Sequence, residues 1–323
     1  MDRTRRRPGL LIAVIALALG LGGVSAQTAA PPLRAMRWLA PGADASKILT
    51  RRPTECLRPA RTSDEAQAVE IGRAAFRSPL LLGGQAARAG VSCETCHRNG
   101  RTNRDFHFPG LSGAPGTADV TSFVFSTHRG DHLDDPRPIP DLSGSKTALK
   151  IDQSTASPAL ALFIHGLITE EFDGPEPAPA VLRGLVAYVR ALDPKACPAR
   201  TWEPVTARVG LSDTRRAAAA AMRALEGGDT PTALTMIQAA RASLGDMAER
   251  FAGPALAPER ERLEHATLEL ASIARSLGQP AALSRTQLAD WSAHLPSLVA
   301  SVVRDDRSLY RPERLRAALR TAP

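Results

Sequence analysis

Apolar residues return at alternating three- and four-residue intervals along much of this chain, the period of an amphipathic helix rather than of a strand. Leu263, Ala266, Leu270, Ile273 and Leu277 form the cleanest run, a narrow seam of the kind that packs between antiparallel helices. Val181, Leu182, Leu185, Val186, Tyr188, Val189 and Leu192 trace a broader face that ends before Asp193-Pro194. Nearer the N-terminus, Ala68, Ile71, Ala75 and Phe76 give the apolar side of a helix that starts at Thr62-Ser63-Asp64-Glu65, with Ser63 as its expected N-cap, and runs to about Arg77. Pro79 stops it.

Turn and cap residues divide the C-terminal part. Ser212 to Glu226 ends at Gly227-Gly228; Thr230-Pro231 opens a second helix reaching about Phe251; Pro258 opens a third that ends near Gly278. Ser284 is the expected cap of a fourth, in which Pro296 predicts a kink or break, and Pro312 opens a short last helix. Four or five helices packed as a bundle are expected over residues 203–323. Residues 27–61, rich in Pro, Ala and Arg, lack such a period and predict an extended wrapping segment with one short helical turn. The Gly/Pro-rich stretch from Asn99 to Ser145 predicts a long loop, and Ser157-Pro158 opens a short helix through Leu160, Leu162, Phe163 and Ile164. The expected fold is mainly α, with one domain over residues 27–200 and the bundle after it.

Composition agrees with that reading. The chain has 323 residues, 43% of them hydrophobic, enough for two domains with a core each, and only 4% aromatic, which favours helices over sheets. At the N-terminus, Arg3, Arg5, Arg6 and Arg7 precede an apolar run from Leu10 to Val24 and the small residues Val24-Ser25-Ala26. This predicts a secretory signal peptide over residues 1–26 and a periplasmic mature protein. An uncleaved anchor is the alternative, although the run is short for a span and carries Gly20, Gly22 and Gly23. The formal charge is +8; removing the four arginines and one aspartate of residues 1–26 leaves +5. The basic residues form no tract and do not alternate with aromatics, which argues against a nucleic-acid partner. A generally basic surface or docking to an acidic redox partner protein both fit.

Four cysteines change the picture most. Cys93-Glu94-Thr95-Cys96-His97 is the C-x-x-C-H pattern of covalent haem attachment, in which two thiols one helical turn apart add across the haem vinyl groups and the adjacent imidazole ligates iron. An ordinary disulfide is one alternative; half a zinc site would want a second close ligand pair, and a redox dithiol would be expected near a βαβ unit. Neither is visible, so Cys93 and Cys96 are expected to carry one haem c (heme c) with His97 as proximal ligand. Cys56 and Cys197 bracket the first domain, and in an oxidising compartment they predict a disulfide, with two free thiols as the alternative.

The approach to the motif is also recognisable. Gly72-Arg73-Ala74-Ala75-Phe76-Arg77-Ser78-Pro79-Leu80, then Gly83-Gly84, then Gly90-Val91-Ser92 before Cys93 resembles the start of a haem domain in the bacterial di-haem cytochrome c peroxidase and MauG-like family. Pro115-Gly116-Thr117 and Pro138-Ile139-Pro140-Asp141-Leu142 are similar to loops of the same group. The resemblance implies a cytochrome c-like fold, whose C-terminal helix, here the one through Val181 to Leu192, crosses the N-terminal helix. It departs in one respect: those peroxidases carry two C-x-x-C-H motifs and this chain one, so the resemblance implies fold more strongly than activity.

The iron's far side decides the chemistry, because a closed site transfers electrons and an open one binds peroxide or a small gas. No methionine lies between Cys93 and Arg200, so a His/Met haem would need Met36 to reach across, or a methionine from the second domain. Of His107, His128, His132 and His165, chain order favours His165, just before the last helix of the domain, with His128 and His132 as alternatives and an open site as another. Arg101, Arg104, Arg129 and Arg137 are candidates for the haem propionates, and Glu170, Glu171 or Asp173 for acid chemistry at an open haem. Three functions remain: a monohaem electron carrier, a peroxidase-type oxidoreductase with an open haem, and a haem-based sensor.

Overall fold

The computed structural model describes residues 33–128, 130–144, 149–197, 202–278, 281–303 and 307–321. The expected signal peptide and Arg129 lie outside these. The fold is mainly α. A 3-10 turn (Arg34–Trp38) leads into helix α1 (Ala45–Thr50), whose N-cap Asp44 accepts the Lys47 N–H, and then strand β1 (Arg51–Pro53). The segment expected to wrap thus carries two helical turns, each locally capped or packed. Helix α2 (Ser63–Phe76) follows; its cap is Thr62 rather than Ser63, because the Thr62 hydroxyl accepts the Glu65 N–H.

Helices α3 (Gly84–Ala89) and α4 (Cys93–Cys96) are short, and four two-residue strands follow in antiparallel pairs: β2 (His97–Arg98) with β3 (Arg101–Thr102), and β4 (Thr117–Ala118) with β5 (Arg137–Pro138). Helix α5 (Ala159–Gly166) continues into a wider turn at Leu167–Glu171, and α6 (Pro179–Ala191) closes this part.

Helix α6 packs across α2 at a pair of glycines. A Cβ on Gly72 would lie 1.9 Å from the Gly184 carbonyl oxygen, so no side chain fits at the crossing. Beside it the Phe76 and Tyr188 rings pack at 5.1 Å. Strand β6 (Trp202–Pro204) then pairs antiparallel with β1, Arg51 facing Pro204, and a Cys56–Cys197 disulfide lies next to this pairing with a Cα–Cα distance of 5.4 Å.

Helices α7 (Ala207–Glu226), α8 (Thr230–Ala248), α9 (Ala257–Ser276) and α10 (Ala281–Val302) form the bundle, and α11 (Pro312–Thr321) follows. Thr206 and Asp229 cap α7 and α8, so α7 begins five residues before the expected Ser212. Helix α10 runs through Pro296 without a break: Leu288, Trp291 and Leu295 before the proline and Val302 after it are all buried, and packing on both sides holds the helix. Ser284 lies inside α10 and its hydroxyl donates to the Ser276 carbonyl instead of capping. Residues 31–322 form one compact unit, with a core continuous from Phe76 and Leu185 to Leu211 and Met236. A smaller cluster joins Leu33, Ile48 and Leu49 to Leu309 and Leu315, with Met36 packed against it. No helix among the described residues is long and apolar enough to cross a membrane.

Candidate functional site

Ser92 starts the turn that carries the C-x-x-C-H motif. Its N–H donates to the Thr95 hydroxyl at 3.0 Å, and the two hydroxyls lie 3.5 Å apart, a capping box that fixes α4. Cys93 and Cys96 are three apart on this turn and share a face, pack against the core and are both free thiols. Asn103 binds the end of the turn from below: its N–H donates to the Cys96 carbonyl at 2.9 Å and its side-chain amide to the Thr95 carbonyl at 2.8 Å.

His97 leaves the turn as the first residue of β2, and Asn99-Gly100 folds β2 back on β3. Both loop residues have positive φ, 49° and 79°, the left-handed pair that Asn-Gly adopts most easily in a two-residue hairpin. That dipeptide was the available sequence signal for a hairpin inside the predicted loop. The hairpin positions the far loop as well. Gly100 accepts the Leu142 N–H, Thr102 donates its hydroxyl to the Ile139 carbonyl, and Arg101 pairs with Asp141 at 2.8 Å. Between these anchors the Pro140 carbonyl meets His97 Nδ1 at 3.0 Å. A carbonyl only accepts, so Nδ1 carries the proton and Nε2 keeps its lone pair.

The electrostatics suit a neutral imidazole ligand. Burial pushes the His97 pKa down to about 4, against the opposing pull of Pro140 and Asp141, and burial pushes both thiols up to about 12. Glu94, between the cysteines, accepts the Asn99 N–H with both oxygens and faces Arg77; burial raises its pKa.

Behind the turn lies an ion network that sequence reading did not find, because its members are far apart in the chain. Arg73 bridges Glu55 and Asp213, both at 2.7 Å, and Arg77 reaches Glu55 at 2.7 Å and the Asn99 side-chain oxygen at 2.7 Å. Tyr188 donates its hydroxyl to Glu55 at 2.7 Å. Burial alone would raise the Glu55 carboxyl, but the Arg77 and Arg73 guanidinium groups hold it well below the usual carboxylate range. The network ties α2, α6 and α7 to the segment carrying His97.

The other histidines are placed separately. His165, on α5, meets the Glu176 carboxylate through Nε2 at 2.8 Å; His128 Nε2 lies 3.7 Å from Asp173; His132 packs edge-on against Phe123. His107 Nδ1 is buried with no hydrogen-bond partner among the described residues. Met236 and Met247 are buried in the bundle. Among the described residues no three His, Cys, Asp or Glu side chains form a metal-binding group. The donor set fits a haem: two unpaired thiols one turn apart, and an imidazole with Nδ1 engaged and Nε2 free. Of the large apolar side chains that stand exposed, Leu80, Phe123, Leu133, Leu162 and Phe163 belong to this half of the molecule. Comparison with protein-family models, with curated proteins and with solved structures returned no match.

Proposed function

We propose that the chain is a periplasmic c-type cytochrome with one haem c attached through Cys93 and Cys96 and ligated by His97, and that it transfers electrons to or from a partner protein. The orientation of His97 carries the reading. The Pro140 carbonyl fixes the proton on Nδ1 and leaves Nε2 as the nitrogen that would ligate the iron, the arrangement that axial histidines need from their surroundings. The α2–α6 crossing at Gly72 and Gly184 supports the resemblance to a cytochrome c-like domain, as does the run of residues from Gly72 into the motif. When bound, the haem would supply a one-electron couple; the chain's own part is to hold it, orient His97 and present exposed apolar surface at Leu162 and Phe163 to it or to a partner.

A second reading, a peroxidase-type oxidoreductase with an open haem, is favoured by the engagement of the remaining histidines. His165, the first choice for a sixth ligand, would have to leave Glu176 to ligate through Nε2, while His128 Nε2 lies 3.7 Å from Asp173 and His132 packs on Phe123. Two measurements decide. Protein produced with the haem-attachment machinery should keep its haem through denaturation and acid–organic extraction, and Cys93→Ser with Cys96→Ser should lose it; non-covalent haem or none would refute the proposal. The ferric EPR spectrum then separates the readings: a low-spin signal unchanged by cyanide or peroxide supports the carrier, and a high-spin signal supports the open site. His165→Ala converting low-spin to high-spin would identify the sixth ligand; the same change in His128→Ala or His132→Ala would reassign it.

A further inference from the structure

A cavity of about 310 Å³ lies behind the Cys93–Cys96 turn, at the lower end of the size of small-molecule sites. Glu94, Thr95 and Arg98 line it whereas Cys93, Cys96 and His97 do not, so it adjoins the side of α4 that the thiols do not occupy. One wall is apolar, built from Leu33, Trp38, Leu39, Ile48 and Leu49. The remainder is charged, with seven arginines against five carboxylates.

Each of those carboxylates already faces a cation. Glu70 holds Arg216, Glu94 faces Arg77, Asp213 holds Arg73, and Asp246 and Glu249 both hold Arg34. Arg52 pairs with Glu203, which does not line the cavity, so two guanidinium groups are left over. Arg98 donates from Nη2 to the carbonyls of Ile48 and Arg51, at 2.8 and 2.6 Å. Arg250 donates to the carbonyls of Leu49 at 2.9 Å and Leu309 at 3.2 Å. The carbonyls of Ile48, Leu49 and Arg51 form the C-terminal end of α1, where helix carbonyls lack intrahelical partners and cations are favoured, so one helix end orients both arginines.

Neither arginine has a carboxylate within ion-pair distance among the described residues; Arg250 lies over the Tyr310 ring, 5.2 Å from its centroid. Two partly desolvated like charges with donors to spare are stabilised by an oxyanion, whose geometry matches the guanidinium fork.

We propose that this cavity binds a small organic oxyanion, a carboxylate or phosphate, with its charged group held by Arg98 and Arg250 and its apolar part against Trp38 and Leu39. The site is independent of haem attachment. Whole protein is titrated at pH 7 with benzoate, acetate and inorganic phosphate against chloride at equal ionic strength, following tryptophan fluorescence and the thermal midpoint. The expected result is a saturable response, with benzoate stronger than acetate, and Arg98→Gln or Arg250→Gln weakening it about tenfold, the loss of a charge-assisted bond. A response to phosphate alone or to benzoate alone assigns the headgroup, and either supports the site. Responses indistinguishable from chloride, or unchanged affinity in both variants, overturn it. If the variants do not fold, the wild-type arginine Nε–H resonances decide: saturable shifts of two of them on anion addition support the site, and unmoved resonances overturn it.

Discussion

At the scale of single residues, Glu55 has the largest leverage outside the motif. It is the shared acceptor of Arg73, Arg77 and Tyr188, and those partners hold its pKa low. A depressed carboxyl contributes stability that is present above its unfolded value of about 4.3 and is lost as pH falls through the folded value. Denaturant unfolding at pH 7, 5 and 3 should therefore show wild-type stability falling on the acid side, and a shallower fall in Glu55→Gln. At pH 7, Glu55→Ala should lose about 3 kcal/mol, because it leaves two buried guanidinium groups short of an acceptor while Asp213 and Glu94 still serve them in part. The motif residues were legible in the sequence, since Cys93, Cys96 and His97 are contiguous. The roles of Pro140, which orients His97, and Asp213, which pairs with Arg73, were not: 43 and 140 residues separate these partners, and although the Pro138–Leu142 loop was recognisable, nothing local marks either pairing.

At the scale of elements, the helices follow the apolar spacing closely, because each buries the stripe that its sequence displays. Helix α6 buries Val181, Leu185, Tyr188, Val189 and Leu192 at its end, much as the pattern predicts. Short elements escaped. Strands β1 to β6 have two or three residues each, too few for an alternation to register, and β1 is Arg51-Arg52-Pro53. The crossing of α2 and α6 gives a sharp test. Gly72→Ala places a methyl group on the Gly184 backbone, which no side-chain rotation relieves, so thermal unfolding should show a loss at or above the upper end of the about 1–3 kcal/mol typical of overpacking. Pro296→Ala should act the other way. It restores a backbone donor inside the unbroken α10 and should raise stability by up to about 3 kcal/mol, measurable as a higher denaturant midpoint with an unchanged slope.

At the scale of the whole molecule, the two halves read from the sequence share a core and are joined by β1–β6, by Arg73–Asp213 and by Arg216–Glu70. The disulfide fastens the same region. Cys56 and Cys197 are 141 residues apart, and closing so long a loop should stabilise by about 4–5 kcal/mol in the chain-entropy account. Reduction, or the double change Cys56→Ser and Cys197→Ser, should lower the denaturation free energy by that order. The structure has one cysteine pair bonded and the other free, and this bears on how the chain is made. Four cysteines allow three full pairings, and the pair closest in sequence is the one left unbonded. A strongly oxidising environment acting early would join Cys93 to Cys96, the shortest loop available, or scramble them with Cys56 before Cys197 has been synthesised. On the proposed haem attachment and export, maturation would have an order: the nearby thiols would have to be protected or consumed while the distant pair waits for the C-terminal helix of its half to arrive.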